Sequence, residues 1–204
     1  MEAILIPVKR LSAAKARLSS LLDAAGRRRL ALAMLGDVLR ATEKWEHRLV
    51  VTSDREAEAV ALAFGCRLVG DPGRGLNAAL SVGTQGAVAL GAAALLTLPA
   101  DVPLVRADDV RSLFASHAQV AVAAAADGGT AALLRRPPAI IPTRFGPASA
   151  VAHCDEARRR GLVARTLELP SLTLDVDEPD DVELLARSPG ERESVHVARM
   201  LLHG

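Results

Sequence analysis

The chain is poor in aromatic residues and carries almost no net charge. Its 204 residues include one Trp, three Phe and no Tyr, and 25 Lys and Arg stand against 24 Asp and Glu, for a formal charge of +1. General nucleic-acid binders combine a basic face with aromatic side chains that stack on bases. This composition therefore argues against nucleic acid as a partner.

Cysteines and long apolar runs are also scarce. Cys66 and Cys154 are far apart and show no metal-binding spacing, which suits small buried side chains in a reducing compartment. The longest apolar stretch, residues 87–100, is too short and too rich in Ala and Gly to span a bilayer. The first residues lack the basic leader and long apolar core of a signal peptide. We predict a cytoplasmic protein with no membrane partner.

What the sequence does have is a regular alternation of strand-like and helix-like segments. Apolar runs such as "AILIPV", "RLVVTS", "CRLVGD" and "AALLTLP" are separated by segments with helical periodicity, until the turn-rich residues 127–142 predict a β-rich excursion. Strict alternation predicts an α/β fold, a mostly parallel sheet with helices on both faces. We expect one domain over residues 1–204, with residues 190–204 as a peripheral tail and the charged residues after Ser188 forming a last exposed helix.

Three aspartates follow predicted strands. Asp101 ends the run "TLPAD", and Asp175 and Asp177 stand in "SLTLDVDEPDD", where an extended chain would point both to the same side. Ligands of such sheets bind beyond the carboxyl ends of the strands, so the three carboxylates are expected to meet at one rim. Hard oxygen ligands of this kind suit Mg²⁺ bound together with nucleotide phosphates. The alternative is that both segments are ordinary turns and helix caps.

A basic loop follows the first predicted strand. "IPVKRLSAAKARL" carries Lys9, Arg10, Lys15 and Arg17 beside the expected ligand edge, where cations and free backbone amides would attract phosphate. The glycines and the Lys-Ser/Thr pair of a P-loop are missing. A solvated basic face is the alternative interpretation.

A glycine-rich turn precedes another predicted helix. In "DPGRGLNAAL", Gly73 and Gly75 let the backbone approach a ligand, and Asn77 opens the helix. The Asn77 amide could bind a base or a ribose. It could equally be an ordinary helix-capping residue.

Two later segments supply small polar groups. Thr130 in "DGGTAALL", with Gly146 and Ser149 in "TRFGPASAVAH", predict a pocket for a small phosphorylated acid. His153 lies one helical turn beyond Ser149. It is either a catalytic base or, as we favour, an exposed or cap-bonding histidine.

In this order, the motifs resemble the CofC/FbiD family of guanylyltransferases in the biosynthesis of the deazaflavin coenzyme F-420. The resemblance runs from Ile4 to about Leu185 and rests on the segments quoted above, together with "VVTSD" and "LPADVPL". It implies the nucleotidyltransferase-like (MobA-like) three-layer α/β sandwich. It also implies transfer of GMP from GTP to phosphoenolpyruvate or 2-phospho-L-lactate, with release of pyrophosphate.

The resemblance also assigns roles to residues and implies a homodimer as one assembly state. Asp101, Lys15 and Lys9 would be catalytic, and Asp101, Asp175 and Asp177 would hold Mg²⁺. The nucleotide would be bound by Pro7, Lys9, Lys15, Arg17, Gly75, Asn77 and Pro99, and the acceptor acid by Thr130, Gly146 and Ser149.

One position departs from the family pattern, and three other functions stay open. The family usually has Thr-Asn where this chain has Thr130-Ala131, so an amide near the acceptor is missing and a 3-phosphoglycerate-type acceptor is an alternative. A molybdenum-cofactor or sugar-phosphate nucleotidyltransferase would normally carry a glycine-rich loop after the first strand, which "IPVKRLS" lacks. A GTP-binding module without turnover is the remaining alternative.

Overall fold

The computed structural model describes residues 1–11 and 15–203. Its strands belong to one seven-stranded sheet with the order β3-β2-β1-β4-β6-β5-β7. The strands are β1 (Glu2–Pro7), β2 (Arg48–Thr52), β3 (Arg67–Gly70), β4 (Ala94–Thr97), β5 (Val120–Ala124), β6 (Thr130–Arg135) and β7 (Ala164–Thr166). The helices are α1 (Ala24–Ala41), α2 (Arg55–Ala63), α3 (Leu76–Ala89), α4 (Ala107–Ala115), α5 (Ser149–Arg159), α6 (Pro179–Arg187) and α7 (Glu193–His203). Two short 3-10 helices cover Ala16–Ser20 and Pro170–Leu172.

The sheet is mostly parallel, which confirms the predicted fold class. β1, β2, β3 and β4 run in the same direction, whereas β6 is antiparallel to both β4 and β5. β6 is the β-rich excursion that the turn residues after Asp127 predicted. Because β6 runs backwards, its first residue, Thr130, lies at the same edge as the carboxyl ends of the parallel strands.

Both faces of the sheet are covered by helices. In β1, Ile4 and Ile6 pack in the cluster that includes Leu35 and Val38 of α1, and the alternate residue Leu5 packs with Leu80 of α3. α3 lies so close to the sheet at Gly83 that a side chain there would overlap with Leu5. These two helix layers and the sheet between them form the three-layer sandwich. Among the described residues, no helix is both apolar and long enough to cross a bilayer.

The segment "SLTLDVD" is not the extended strand that its apolar pattern predicted. Pro170–Leu172 form a 3-10 helix, and residues 173–178 have no strand assignment. Instead of pairing along a strand, the backbone of this segment bonds to two loops. Ala126 N donates to Thr173 O at 3.1 Å, and Val176 N donates to Asp101 O at 3.2 Å. The predicted alternation still holds locally, because Val176 is fully buried between two partly exposed aspartates.

The C-terminal residues form the helix that we expected, but this helix is packed against the domain and not exposed. α7 packs against α1 and α6, with Val195, Val197 and Ala198 buried. Just before it, Arg192 donates hydrogen bonds to the carbonyl oxygens of residues 103, 104 and 105. The carboxylate of buried Asp37 accepts from the backbone and side chain of Ser194. The C-terminal helix therefore supports the loop that follows β4.

Candidate active site

Three aspartates from distant parts of the chain meet at the carboxyl edge of the sheet. One carboxylate oxygen from each of Asp101, Asp175 and Asp177 lies within 4.8 Å of the others. Asp101 is in the loop after β4, and the hydrogen bond from Val176 N to Asp101 O joins that loop to the segment carrying the other two. The structure thus brings together the three residues that were predicted to meet at one rim.

The ammonium group of Lys15 lies inside this carboxylate cluster. Lys15 Nζ is 2.9 Å from Asp101 Oδ2, 2.7 Å from Asp177 Oδ1 and 3.9 Å from Asp175 Oδ1. Its side chain is only 8% exposed. Burial alone would disfavour the charge, but the surrounding aspartates outweigh burial and raise the pKa of Lys15 above its usual value. Lys15 therefore neutralises part of the repulsion among the carboxylates.

One positive charge does not balance three carboxylates. Burial favours the neutral acid at Asp101, but Lys15 and Lys9 together hold the pKa of Asp101 below its usual value. At Asp175, burial and the charge of Asp101 raise the pKa to about 8. Asp101 Oδ1 and Asp175 Oδ1 are buried without a hydrogen-bond partner among the described residues. Such unsatisfied oxygens are costly unless a ligand binds them, so the donor set fits a hard divalent cation.

A cavity of about 310 Å³ lies next to the cluster on the side of the basic loop. Its lining contains seven of the residues predicted to bind nucleotide or metal, namely Pro7, Lys9, Lys15, Arg17, Pro99, Asp101 and Asp177. It also contains apolar residues that sequence reasoning missed, including Leu11, Ala31, Met34 and Leu76. Arg17 is 71% exposed and pairs with Glu178 at 3.1 Å. Cations and apolar walls around one cavity are suited to a nucleoside triphosphate.

The glycine turn before α3 lies beside this cavity, but Asn77 has a partner of its own. Gly75 has φ +90°, a conformation that favours glycine, and directly precedes α3. The Asn77 amide nitrogen donates to Phe145 O at 3.1 Å, and its oxygen accepts from Phe145 N at 2.9 Å. Asn77 thereby joins the start of α3 to the loop before α5. The residue of this segment that lines the cavity is Leu76, the first residue of α3.

Thr130 and Ser149, two of the predicted acceptor residues, contact each other. Thr130 Oγ1 is 2.8 Å from Ser149 Oγ and 3.0 Å from His153 Nδ1, and all three side chains are buried. The third, Gly146, is exposed and has φ +146°. Of the two non-catalytic interpretations, an exposed or a cap-bonding histidine, the exposed one is wrong: His153 is buried, and its Nε2 accepts from the backbone N–H of Arg144 at 2.9 Å. Burial, with the charges of Arg135 and Arg144, lowers the pKa of His153 to about 4.

Position 131, where the chain departs from the family pattern, lies on the other face of β6. Ala131 is buried in the apolar cluster with Ile4 and Leu96, whereas Thr130 bonds to α5. The pairing of β6 with β5 is irregular at this point, where Ala123 pairs with Ala132 and Ala124 with Thr130, so these contacts and not strand alternation separate the two side chains. The alanine therefore removes no polar group from the side of β6 that carries Thr130.

A second cavity of about 550 Å³ also borders the carboxylate cluster and shares Arg17 and Asp177 with the first. Asp175, Asp177 and Arg17 line it together with Asp127, which sequence reasoning did not assign to the site. The charge of Asp127 adds to the raised pKa of Asp175. Asp127 follows β5, so its place after a strand end was the signal that could have found it. The hairpin from β5 to β6 thus connects the carboxylate cluster to Thr130.

Comparison with known proteins identifies the family. The family model described as "Guanylyl transferase CofC like" matches residues 2–199. The chain belongs to the CofC guanylyltransferase family. A phosphoenolpyruvate guanylyltransferase of Roseiflexus castenholzii is 46% identical over 203 residues, covering 97% of this chain and 94% of the relative. A 3-phospho-D-glycerate guanylyltransferase of Phenylobacterium zucineum is 36% identical over 198 residues, covering 90% of this chain and 89% of the relative.

Solved structures show the same fold at low sequence identity. A nucleotidyl transferase from Methanothermobacter is 17% identical, with a TM-score of 0.64, and the match covers 98% of this chain and 99% of that chain. The predicted nucleotidyltransferase-like architecture is therefore confirmed for this CofC-family protein.

Proposed function

We propose that this protein transfers GMP from GTP to the phosphate of a three-carbon phosphorylated acid, with phosphoenolpyruvate as the acceptor. The observation that carries the proposal is the cluster of Asp101, Asp175 and Asp177 beside a cavity lined by Lys9, Lys15 and Arg17. Family membership and the name of the 46% identical relative support guanylyl transfer to this acid.

The reaction is a direct substitution at the α-phosphorus of GTP. An acceptor phosphate oxygen forms a bond to the α-phosphorus, and the bond from that phosphorus to the oxygen bridging toward the β-phosphorus breaks. The electron pair of the broken bond leaves with pyrophosphate. Because the acceptor phosphate is already an anion near neutral pH, the attack needs no general base.

The difficulty of this reaction is that two polyanions must come together. Lys9 and Arg17, both exposed at the cavity, would bind phosphate oxygens and reduce the repulsion between the substrates. Lys15 lines the same cavity as Asp101 and Asp177 and pairs with both, so its ammonium group would reach the triphosphate from the side of these carboxylates. The protein thus contributes fixed positive charge and orientation.

Asp101, Asp175 and Asp177 would hold magnesium. Two of their buried oxygens have no hydrogen-bond partner among the described residues, which is why the donor set fits this ion. When bound, the ion supplies positive charge that stabilises the phosphates and the leaving pyrophosphate. The three carboxylates orient that charge toward the cavity that Asp101 and Asp177 line.

The acceptor would lie at the hairpin between β5 and β6 and the start of α5. Thr130 and Ser149 offer hydroxyl groups there, and Gly146 leaves open space in which a Cβ would meet no atom within 4 Å. The hairpin also carries Asp127, which lines the cavity next to Asp175. An acid bound at this place would reach the nucleotide across the carboxylate cluster.

Pyrophosphate release is the test. The purified protein is incubated with GTP, Mg²⁺ and one acid at a time: phosphoenolpyruvate, 2-phospho-L-lactate or 3-phospho-D-glycerate. We expect the highest kcat/KM with phosphoenolpyruvate. A clear preference for 3-phospho-D-glycerate would mean that this acid is the acceptor, as the name of the 36% identical relative suggests. GTP binding without pyrophosphate release in any mixture would refute the proposal and favour a binding module.

A further inference from the structure

The buried cluster of Thr130, Ser149 and His153 contains a histidine whose tautomer is fixed by its neighbours. His153 Nε2 accepts a hydrogen bond from the backbone N–H of Arg144 at 2.9 Å. A backbone N–H can only donate, so Nε2 carries no proton. Burial and nearby Arg135 and Arg144 lower the pKa of His153 to about 4, so the ring is neutral near pH 7 and its proton is on Nδ1.

This tautomer decides how the two hydroxyl groups are used. Nδ1–H faces Thr130 Oγ1 at 3.0 Å and donates to it, and Thr130 Oγ1 is 2.8 Å from Ser149 Oγ. The two hydroxyl groups carry one proton each, and the hydrogen bond between them uses one of these two protons. Among the described residues, neither hydroxyl makes another hydrogen bond, so one proton is left for a group outside the cluster.

We propose that His153 is a positioning residue: because its Nδ1–H donates to Thr130, the ring accepts neither hydroxyl proton, and the spare proton of the Thr130–Ser149 pair is directed to an anionic oxygen of the acceptor acid. A buried donor without a partner is unfavourable, whereas a donor to a carboxylate or phosphate oxygen makes a strong bond. This inference rests on the proposed function, because it assumes that the acceptor binds at Thr130 and Ser149.

His153 also holds the loop that would border the acceptor. Its bond to Arg144 N and its edge-to-face contact with Phe145, with ring centroids 5.3 Å apart, fix the residues before Gly146. Asn77 holds the same loop from α3 through both backbone groups of Phe145. The loop therefore has a second support, and the contribution that only His153 makes is the proton donated to Thr130.

Two substitutions separate these contributions. In His153→Asn, the amide nitrogen takes the place of Nδ1 and can donate to Thr130, but the acceptor for Arg144 N is lost. In His153→Gln, the amide oxygen takes the place of Nε2 and can accept from Arg144 N, but the donor to Thr130 is lost. His117→Gln, at an exposed histidine, is the matched control.

Steady-state kinetics of pyrophosphate release distinguish the two variants. We expect His153→Gln to raise the KM for the acceptor acid about tenfold, because the hydroxyl pair loses the donor that orients its spare proton, with the KM for GTP within about twofold. His153→Asn should keep the acceptor KM within about threefold, and His117→Gln should match the wild type. Equal KM changes for GTP and acceptor, or an unchanged acceptor KM in His153→Gln, would overturn the inference.

A spectroscopic measurement tests the same inference without relying on folded variants. The ¹⁵N shifts of His153 in the wild-type protein at pH 7 should show a neutral ring protonated on Nδ1; protonation on Nε2 would overturn the inference. If the wild-type protein releases no pyrophosphate with any acid, the proposed function fails, and this inference fails with it. If the wild-type protein releases pyrophosphate and His153→Gln has an unchanged KM for the acceptor acid, the inference about His153 is wrong while the proposed function stands.

Discussion

The two polar clusters at the carboxyl edge of the sheet satisfy their polar groups to different extents. Around Lys15, one ammonium faces three carboxylates, and two buried oxygens have no partner among the described residues. Around Thr130, the hydroxyls and both nitrogens of His153 are hydrogen-bonded and buried. In the first cluster the three carboxylates repel one another, and a bound cation with its nucleotide would reduce that repulsion. The second is already ordered and lacks only an acceptor for one proton.

The largest expected effect comes from breaking the first cluster at Asp101. Asp101→Asn keeps the shape of the side chain but removes a charge from the proposed cation site, so kcat should fall by about a thousandfold or more. Pyrophosphate release with saturating GTP, Mg²⁺ and phosphoenolpyruvate measures it. Asp108→Asn, at an exposed aspartate paired with Arg111, is the control and should keep wild-type activity. Near-normal turnover in Asp101→Asn would show that the metal assignment is wrong.

Removal of the central cation should destabilise the first cluster in a salt-dependent way. Lys15→Met leaves three mutually repelling carboxylates, and we expect a loss of about 1–3 kcal/mol of unfolding free energy in metal-free buffer at pH 8. Thermal unfolding in low salt and in about 1 M NaCl measures the loss, which should shrink in high salt because the repulsion is screened. A salt-independent loss would mean that Lys15 acts through packing.

The second cluster should respond differently to an equally local change. Thr130→Val preserves the β-branched shape but leaves His153 Nδ1–H and Ser149 Oγ without their partner, so stability should fall by about 1–2 kcal/mol. Thermal unfolding in low salt and in high salt measures this loss as well, and we expect the loss of unfolding free energy to be equal in the two buffers. A loss that vanished in the high-salt buffer would contradict the view that this cluster is held by neutral hydrogen bonds.

The smallest expected effect is a gain of stability at Asp175. Its pKa is about 8 in the folded protein and about 3.9 in an unfolded chain, so its ionisation destabilises the fold as pH rises between these values. Asp175→Asn does not titrate. Without metal, its melting temperature should match the wild type near pH 4 and exceed it by about 2–4 °C above pH 8, a modest gain because the carboxyl is partly exposed. A difference that does not change with pH would contradict this assignment.

The sequence was sufficient to predict which residues meet at the carboxyl edge of the sheet, but not the contacts that they make with one another. Lys9 and Asp101 lie just after strands, and the alternation in "DVD" placed Asp175 and Asp177 on one side, so local rules were sufficient. Lys15 is 86 residues away from Asp101 and 162 residues away from Asp177 in the sequence. Its position among the carboxylates therefore depends on long-range contacts that no local pattern encodes. The pairing of Asn77 with Phe145 is equally long-range.

Two sequence segments suggested a structure that the protein does not have. "SLTLDV" has the composition of a strand, but its backbone bonds to the loops at Ala126 and Asp101. The charged residues after Ser188 suggested an exposed helix, yet Arg192 binds three carbonyl groups and the helix, α7, packs on α1. In both cases tertiary contacts outweighed local composition.

The most direct test of the proposed cation site is the cation dependence of pyrophosphate release. Wild-type protein with GTP and phosphoenolpyruvate is assayed after treatment with a chelator and again after Mg²⁺ is added back. We expect the chelator to abolish release and Mg²⁺ to restore it, while Asp101→Asn stays inactive in both conditions. Release at the full rate in the presence of the chelator would contradict a metal-dependent transfer at these three aspartates.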